Sequence, residues 1–331
     1  MNAPKLCVCR CVLMAAVFAV FFASCTSSGS VKTAGSQIET KPAEPRIAHP
    51  YEYFDFDKDL YLTFPVTGNE ELFTAVVQKV APGMSKFSVK QLVEKTKFFY
   101  LDANLDFLFD AEIAPTFQFC ATGSFPTSYR SMLFTNGNGF RQVKEEQKDR
   151  IYEYFYNRDG KFFIDIPQTG YCFADTDYLS GMLLAQEQTQ KGEVYKPEWK
   201  EEIVDLMFSS DESTKIDWYI AKAEPLVTML LGGSARLPLQ YAFGQMEKIE
   251  NSANTDTNSL LYKINATLET TDKRFVRPNV AVLNRFIQQA QPAAAGIVPN
   301  VSAGSDCEIL ISDWVIDLGS FISKVGVKNE Q

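Results

Sequence analysis

A single histidine stands among 331 residues, and its scarcity rules out more chemistry than any abundant residue suggests. That residue, His49, lies beside Pro50 in a proline-rich stretch read as a tether, where nothing rigid would orient it. Ser-His-Asp and Cys-His relays need a base held within hydrogen-bond reach of the nucleophile, so no catalytic residue of that kind is expected. Histidine-rich zinc and copper sites fall with it. The chain also lacks a glycine loop before a lysine and a G-x-G-x-x-G after a strand. Gly232-Gly233-Ser234-Ala235-Arg236 is the nearest approach and reads as a turn between helices, so no cofactor is expected.

Cysteine is sparse where it would count. Of seven, Cys7, Cys9 and Cys11 crowd the first residues, Cys25 follows, and only Cys120, Cys172 and Cys307 remain in the body. An odd number cannot pair completely, and none has a second Cys or His at ligand spacing, so buried single thiols are expected and no metal centre. Basic excess is missing too: the formal net charge is −9. Nucleic acid and anionic lipid surfaces need a basic patch that releases counterions, and neither is an expected partner.

What is present begins with a leader. Lys5 and Arg10 precede an uncharged run from Val12 to Ser24, which is too short to span a bilayer and suits a signal-peptide core. It closes on Phe22-Ala23-Ser24-Cys25, which resembles the lipobox of bacterial lipoproteins in the looser form of spirochaetes, with Phe22 where Leu or Val is usual. The resemblance implies cleavage before Cys25, a lipid on Cys25, and a membrane-anchored address in the cell envelope facing the periplasm or the surface. It covers about the first thirty residues; the body resembles no characterised family. With Lys5 and Arg10 removed, the mature chain is more acidic still, which serves solubility.

A division follows: signal peptide 1–24, flexible lipid-anchored tether 25–50, α+β units 51–212 and 213–323, and a tail 324–331. The tether is rich in Ser, Thr, Ala and Pro and would lift the body at most ~80 Å from the membrane at about 3.3 Å per residue. Hydrophobic residues at 46% and aromatic residues at 13% suffice for a sizeable core.

The patterns predict an α+β fold of antiparallel sheets with packed helices. Strands are expected at 59–66, 98–109, 112–123 and repeatedly within 140–174, where Asn157-Arg158-Asp159-Gly160 signals a tight turn. Helices are expected at 69–80, from a Ser88 cap to 95, at 177–186, 197–208, 225–231, 237–249 and 283–290. Further strands are expected at 217–220, 261–268, 273–282 and 307–312. Asp217-Trp218-Tyr219-Ile220 echoes Asp59-Leu60-Tyr61-Leu62, and 261–268 echoes 99–105 at a similar offset. Two copies of one strand-helix-sheet unit or chance similarity of alternating strands both fit.

Carboxylates are the remaining chemical candidates. Asp55-Phe56-Asp57-Lys58-Asp59 begins like a calcium loop, but Leu60 stands where the turn needs Gly and Val66 where a bidentate Glu belongs, so a solvated edge strand is expected. Asp102, Asp106, Asp110 and Glu112 alternate with apolar residues and read as a wet strand face. Twenty-six phenylalanines, among them Phe98, Phe99, Phe117 and Phe119, fill a core or line an apolar cavity. The leading expectation is a non-catalytic envelope lipoprotein that binds or assembles with another envelope or host protein. The alternatives are a lipid or apolar-ligand carrier with an internal pocket, and a carboxylate-dependent hydrolase using Asp55 or Asp102.

Overall fold

The computed structural model describes residues 48–317, apart from 82, 107–108, 111–112, 115, 148–149, 169, 177–196, 209–213, 232–235, 250–259 and 291–296. The leader, Cys25, the predicted helix 177–186 and most of the Gly232–Arg236 turn lie outside the described residues.

Twelve strands form one sheet, with order β11-β12-β10-β9-β8-β1-β2-β3-β7-β6-β5-β4. In chain order they are β1 Leu60–Pro65, β2 Thr96–Ala103, β3 Phe117–Gly123, β4 Phe140–Gln147, β5 Arg150–Asn157, β6 Phe162–Gln168, β7 Tyr171–Asp175, β8 Ile216–Ile220, β9 Leu239–Lys248, β10 Leu261–Thr270, β11 Asn300–Ala303 and β12 Glu308–Asp317. The pairings are antiparallel, and β1 meets β8 at the centre through Tyr61↔Tyr219 and Leu62↔Trp218. The two echoed strands are therefore neighbours, and the sheet runs outward from them in both directions without a break between 51–212 and 213–323.

The helices are α1 Glu70–Val80, α2 Lys86–Lys95, α3 Tyr129–Leu133, α4 Glu201–Phe208, α5 Ala223–Leu230 and α6 Val276–Ala290. Leu72, Phe73 and Val77 of α1 are buried, Phe73 and Val77 four residues apart on one side of the helix, with Glu70 and Glu71 complementing the helix dipole in the first turn. One face of the sheet packs against α1, α2, α5 and α6 in the larger core. The opposite face carries an aromatic layer under the turn Pro50–Tyr53 and α4.

Several elements depart from expectation, each for a local reason. The second helix starts earlier because Ser85, not Ser88, is its cap; the Ser85 hydroxyl accepts the Ser88 N–H at 3.1 Å. The strands 98–109 and 112–123 shrink to β2 and β3, and Leu105 beyond β2 turns its N–H to Asp59 Oδ2 at 3.0 Å. Residues 237–249, expected as a helix, form β9: Leu239, Ala242 and Met246 are buried, and Gly244 leaves room opposite Trp218. Residues 273–282, expected as a strand, open α6 instead. There Asp272 accepts the Arg274 N–H at 2.8 Å, Pro278 sits in the first turn where a missing N–H costs nothing, and Val276, Leu283 and Ile287 form the buried stripe.

Candidate functional site

The larger core is not filled. Between α1, α2 and the sheet lies a cavity of about 80 Å³ lined by Phe73, Val76 and Val77 of α1, Ala81 and Met84 after it, and Leu92 of α2; its floor is Phe99, Leu101, Phe117, Phe119, Ala121, Phe140, Phe162, Ile164 and Cys172. These side chains reach one chamber because β2, β3, β7 and β6 are consecutive in the sheet, and alternate residues of each strand share a face. The rings pack obliquely: Phe99 and Phe119 centroids are 5.0 Å apart, and Phe73 and Phe99 5.5 Å. No lining side chain carries N or O. A chamber this apolar repels water yet exceeds several water-sized spheres at roughly 10–15 Å³ each. Burial pushes the Cys172 thiol up, so it serves as wall rather than nucleophile.

The opposite face holds the carboxylates. Paired register sets Tyr219, Tyr61, Asp102, Gln118 and Asp175 in one row across β8, β1, β2, β3 and β7. Asp102 is fully buried and not on a wet face, a correction to the alternation rule: the strand's second side is covered by the chain leading into β1. Its Oδ1 accepts the Gln118 N–H at 2.9 Å, and burial holds its pKa well above the usual range while Lys58 opposes the shift. Gln118 Nε2 donates to Asp175 Oδ2 at 2.9 Å, and Gln118 Oε1 accepts the Asp55 N–H at 3.1 Å. Asp55 and Asp102, the hydrolase candidates, are thus linked through Gln118, and a fully enclosed acid has no room for a sugar beside it.

The Asp55–Asp59 segment is not an edge strand. Phe56 adopts φ 58°, Lys58 pairs with Asp57 and lies 3.4 Å from Asp55, and Asp59 is buried with Lys222 at 2.7 Å. Asp106 and Asp110 are exposed, and Glu112 lies outside the described residues. Two further buried acids stand out. Burial lifts Asp217 to about 7 against a hydrogen bond from Gln245 at 2.6 Å, and Asp165 to about 6 against Arg130 at 2.8 Å. Among the described residues no group of three His, Cys, Asp or Glu is placed to hold a metal ion, and no helix is long and apolar enough to cross a membrane. Cys120 and Cys172 are buried free thiols and Cys307 a half-buried one.

His49 is also placed differently from expectation. It caps the turn Pro50–Tyr53, accepting the Tyr51 N–H on Nδ1 at 3.3 Å, and packs 4.7 Å from the Phe208 ring. The proline signal that suggested a tether marks, at Pro50, the first residue of a buried turn.

A family model described as outer membrane-associated lipoprotein TP0453 matches residues 45–317. Outer membrane protein TP0453 of Treponema pallidum (strain Nichols) is 30% identical over 95 residues, which are 29% of this chain and 30% of that protein. That alignment spans less than a third of the relative. Two crystal forms of TP0453 share the fold: form III at TM-score 0.60 and 17% identity over 84% of this chain and 97% of that one, and form I at 0.58 and 17% over 85% and 99%. The expectation that the body resembles no characterised family is overturned by this match.

Proposed function

Because the chain belongs to the family of the outer membrane-associated lipoprotein TP0453, a family of the bacterial cell envelope, we propose that it is a non-catalytic binding module whose ligand is an apolar chain of the lipid acyl class. The observation that carries this is the cavity between α1, α2 and the sheet, lined without a single polar side chain. An unfilled chamber of that kind costs stability, since its lining atoms lose dispersion contacts on one side. Filling by hydrocarbon would restore those contacts, and no charged group would need desolvation. Against the hydrolase alternative stand the enclosure of Asp102 and the pairing of Asp59 with Lys222 and of Asp165 with Arg130.

In this reading Cys25 bears the anchor, residues after it form the tether, and 51–212 and 213–323 are two units of one sheet. Their corresponding cores would be β1-α1-β2-β3 and β8-α5-β9-β10, which sets β9, not β10, against β2. A partner protein of the envelope or host remains part of the proposal as recipient or source of the apolar ligand. The test is organic extraction of the protein purified from its own membrane, followed by mass spectrometry. Acyl lipid recovered in stoichiometric amount after detergent exchange supports the reading; protein free of any apolar molecule, with unchanged stability on adding fatty acid, refutes it.

A further inference from the structure

The chain's only histidine sits at the root of a strap. Residues 48–58 run across the aromatic face of the sheet before β1 and are held there at points along their length. The Tyr171 hydroxyl donates to the Ala48 carbonyl at 3.1 Å, and the Tyr51 N–H donates to His49 Nδ1 at 3.3 Å. Thr63 Oγ1 lies 3.3 Å from the Tyr51 hydroxyl, and the Asp55 N–H reaches Gln118 Oε1 at 3.1 Å. Tyr51, Tyr53 and Phe54 are buried under these contacts, in one cluster with Cys120.

We propose that His49 is an acid-sensitive pin: while neutral it fixes the strap Ala48–Lys58 to the sheet, and on protonation it releases the strap's first turn. The geometry requires the neutral ring. An imidazole accepts on Nδ1 only when its single proton is on Nε2, and the imidazolium donates from both nitrogens. Protonation therefore sets an Nδ1–H against the Tyr51 N–H and strips that amide of its acceptor. The rings of Tyr51 at 5.7 Å and Phe208 at 4.7 Å, both near-parallel to the imidazole, would by themselves attract a cation. Two donors facing each other at hydrogen-bond distance in a half-buried site outweigh that attraction, and opening lets the imidazolium hydrate.

The ionisable groups on the elements packed around the pin are Tyr51 and Glu52 in its own turn, Tyr100 and Asp102 on β2, Tyr171 on β7, Asp205 on α4 and Asp217 on β8. Carboxylates there could hold an imidazolium in place. Burial raises Asp102 and lifts Asp217 to about 7, so Asp217 takes up its proton near the pH at which a histidine charges, and that counter-charge fades as it is needed. Release of the first turn, residues 48–53, would uncover the Tyr100 ring that packs on Tyr51 and lengthen the link to the proposed lipid anchor by about 20 Å at roughly 3.3 Å per residue. The last consequence rests on Cys25 carrying lipid, which palmitate labelling tests separately; the pin itself does not depend on the cavity or its ligand.

The experiment is hydrogen exchange of the full mature protein in detergent at pH 7.5 and 5.5, corrected for intrinsic exchange, on the wild type and His49→Asn. Asparagine offers a cap oxygen that does not titrate. In the wild type, protection of the first-turn amides, Tyr51 to Phe54, should fall roughly tenfold at pH 5.5, the scale of one lost hydrogen bond. In His49→Asn it should match at both pH values. Unchanged wild-type protection overturns the proposal, and so does an equal acid loss in His49→Asn, which would assign the effect to the buried carboxylates. If the variant fails to fold, nitrogen NMR of the one imidazole decides: the Nε2–H tautomer at pH 7.5, titrating with the Tyr51 amide at a common midpoint, is required, and the Nδ1–H tautomer overturns it.

Discussion

Replacing Asp217 with Asn should flatten the pH dependence of stability over the neutral range. Asp217 is 3% exposed, and burial raises its pKa from the ordinary 3.8 to about 7, against the Gln245 hydrogen bond and Lys215. A carboxyl whose folded pKa lies above its unfolded value contributes stability that is fully present below about pH 4 and is lost as pH rises through about 7. At about 1.4 kcal/mol per tenfold change in proton affinity, the full span reaches about 4 kcal/mol, of which half or more should survive relaxation of the site. Asp165, lifted to about 6, and Asp102 act in the same sense, so the wild type should be more stable at pH 5 than at pH 8. Asp217→Asn keeps an oxygen for the Gln245 amide and removes the buried charge. Urea unfolding should therefore show it within ~1 kcal/mol of the wild type at pH 5, and more stable by about 1–3 kcal/mol at pH 8. Wild-type stability that rises from pH 5 to 8, or a variant with an unaltered pH slope, would refute the reasoning.

Labelled palmitate should enter the wild-type protein and not Cys25→Ser; label retained in the variant contradicts the anchor. Reductant should leave the melting temperature unchanged, since Cys120, Cys172 and Cys307 are free thiols; a large drop would show a disulfide between molecules. Asn69→Ala should destabilise by about 2–3 kcal/mol in chemical denaturation, because the Asn69 amide donates to Pro65 O at 2.9 Å and accepts the Tyr262 hydroxyl at 2.8 Å, leaving buried groups unpaired. A cost under about 0.5 kcal/mol, typical of a surface change, would show those bonds to be replaceable.

The hairpin region was legible because its signals are local. Asn157 lends its side-chain oxygen to the N–H groups of Asp159 and Gly160, at 3.1 and 2.7 Å, and this turn chemistry is written in four adjacent residues. β9 was not legible: ten residues with apolar positions at both helical and strand spacing take their state from neighbours β8 and β10. Asp102 illustrates the same limit. Alternation correctly sets its side chain opposite Leu101, but whether that face is wet depends on residues 48–58 crossing it, a contact between segments more than forty residues apart. His49 fell to the converse error, since a proline-rich stretch ends where a buried turn begins. The aromatic surplus was read as core or cavity, and the sheet order that gathers Phe99, Phe117, Phe119 and Phe162 into one chamber is not encoded in any window of the chain.

The central claim, an apolar-ligand module, is tested most directly by titrating delipidated protein with a fluorescent polyene fatty acid, wild type against Ala121→Phe, with Ala81→Leu as a second filled variant. Ala121 faces the chamber and is almost fully buried, so a larger side chain there occupies the space a ligand would use. The account predicts saturable binding by the wild type, competed by unlabelled fatty acid, and at least tenfold weaker binding by a filled variant that still unfolds cooperatively. Equal binding by wild type and folded variants would place the ligand elsewhere, and no binding by either would contradict the claim.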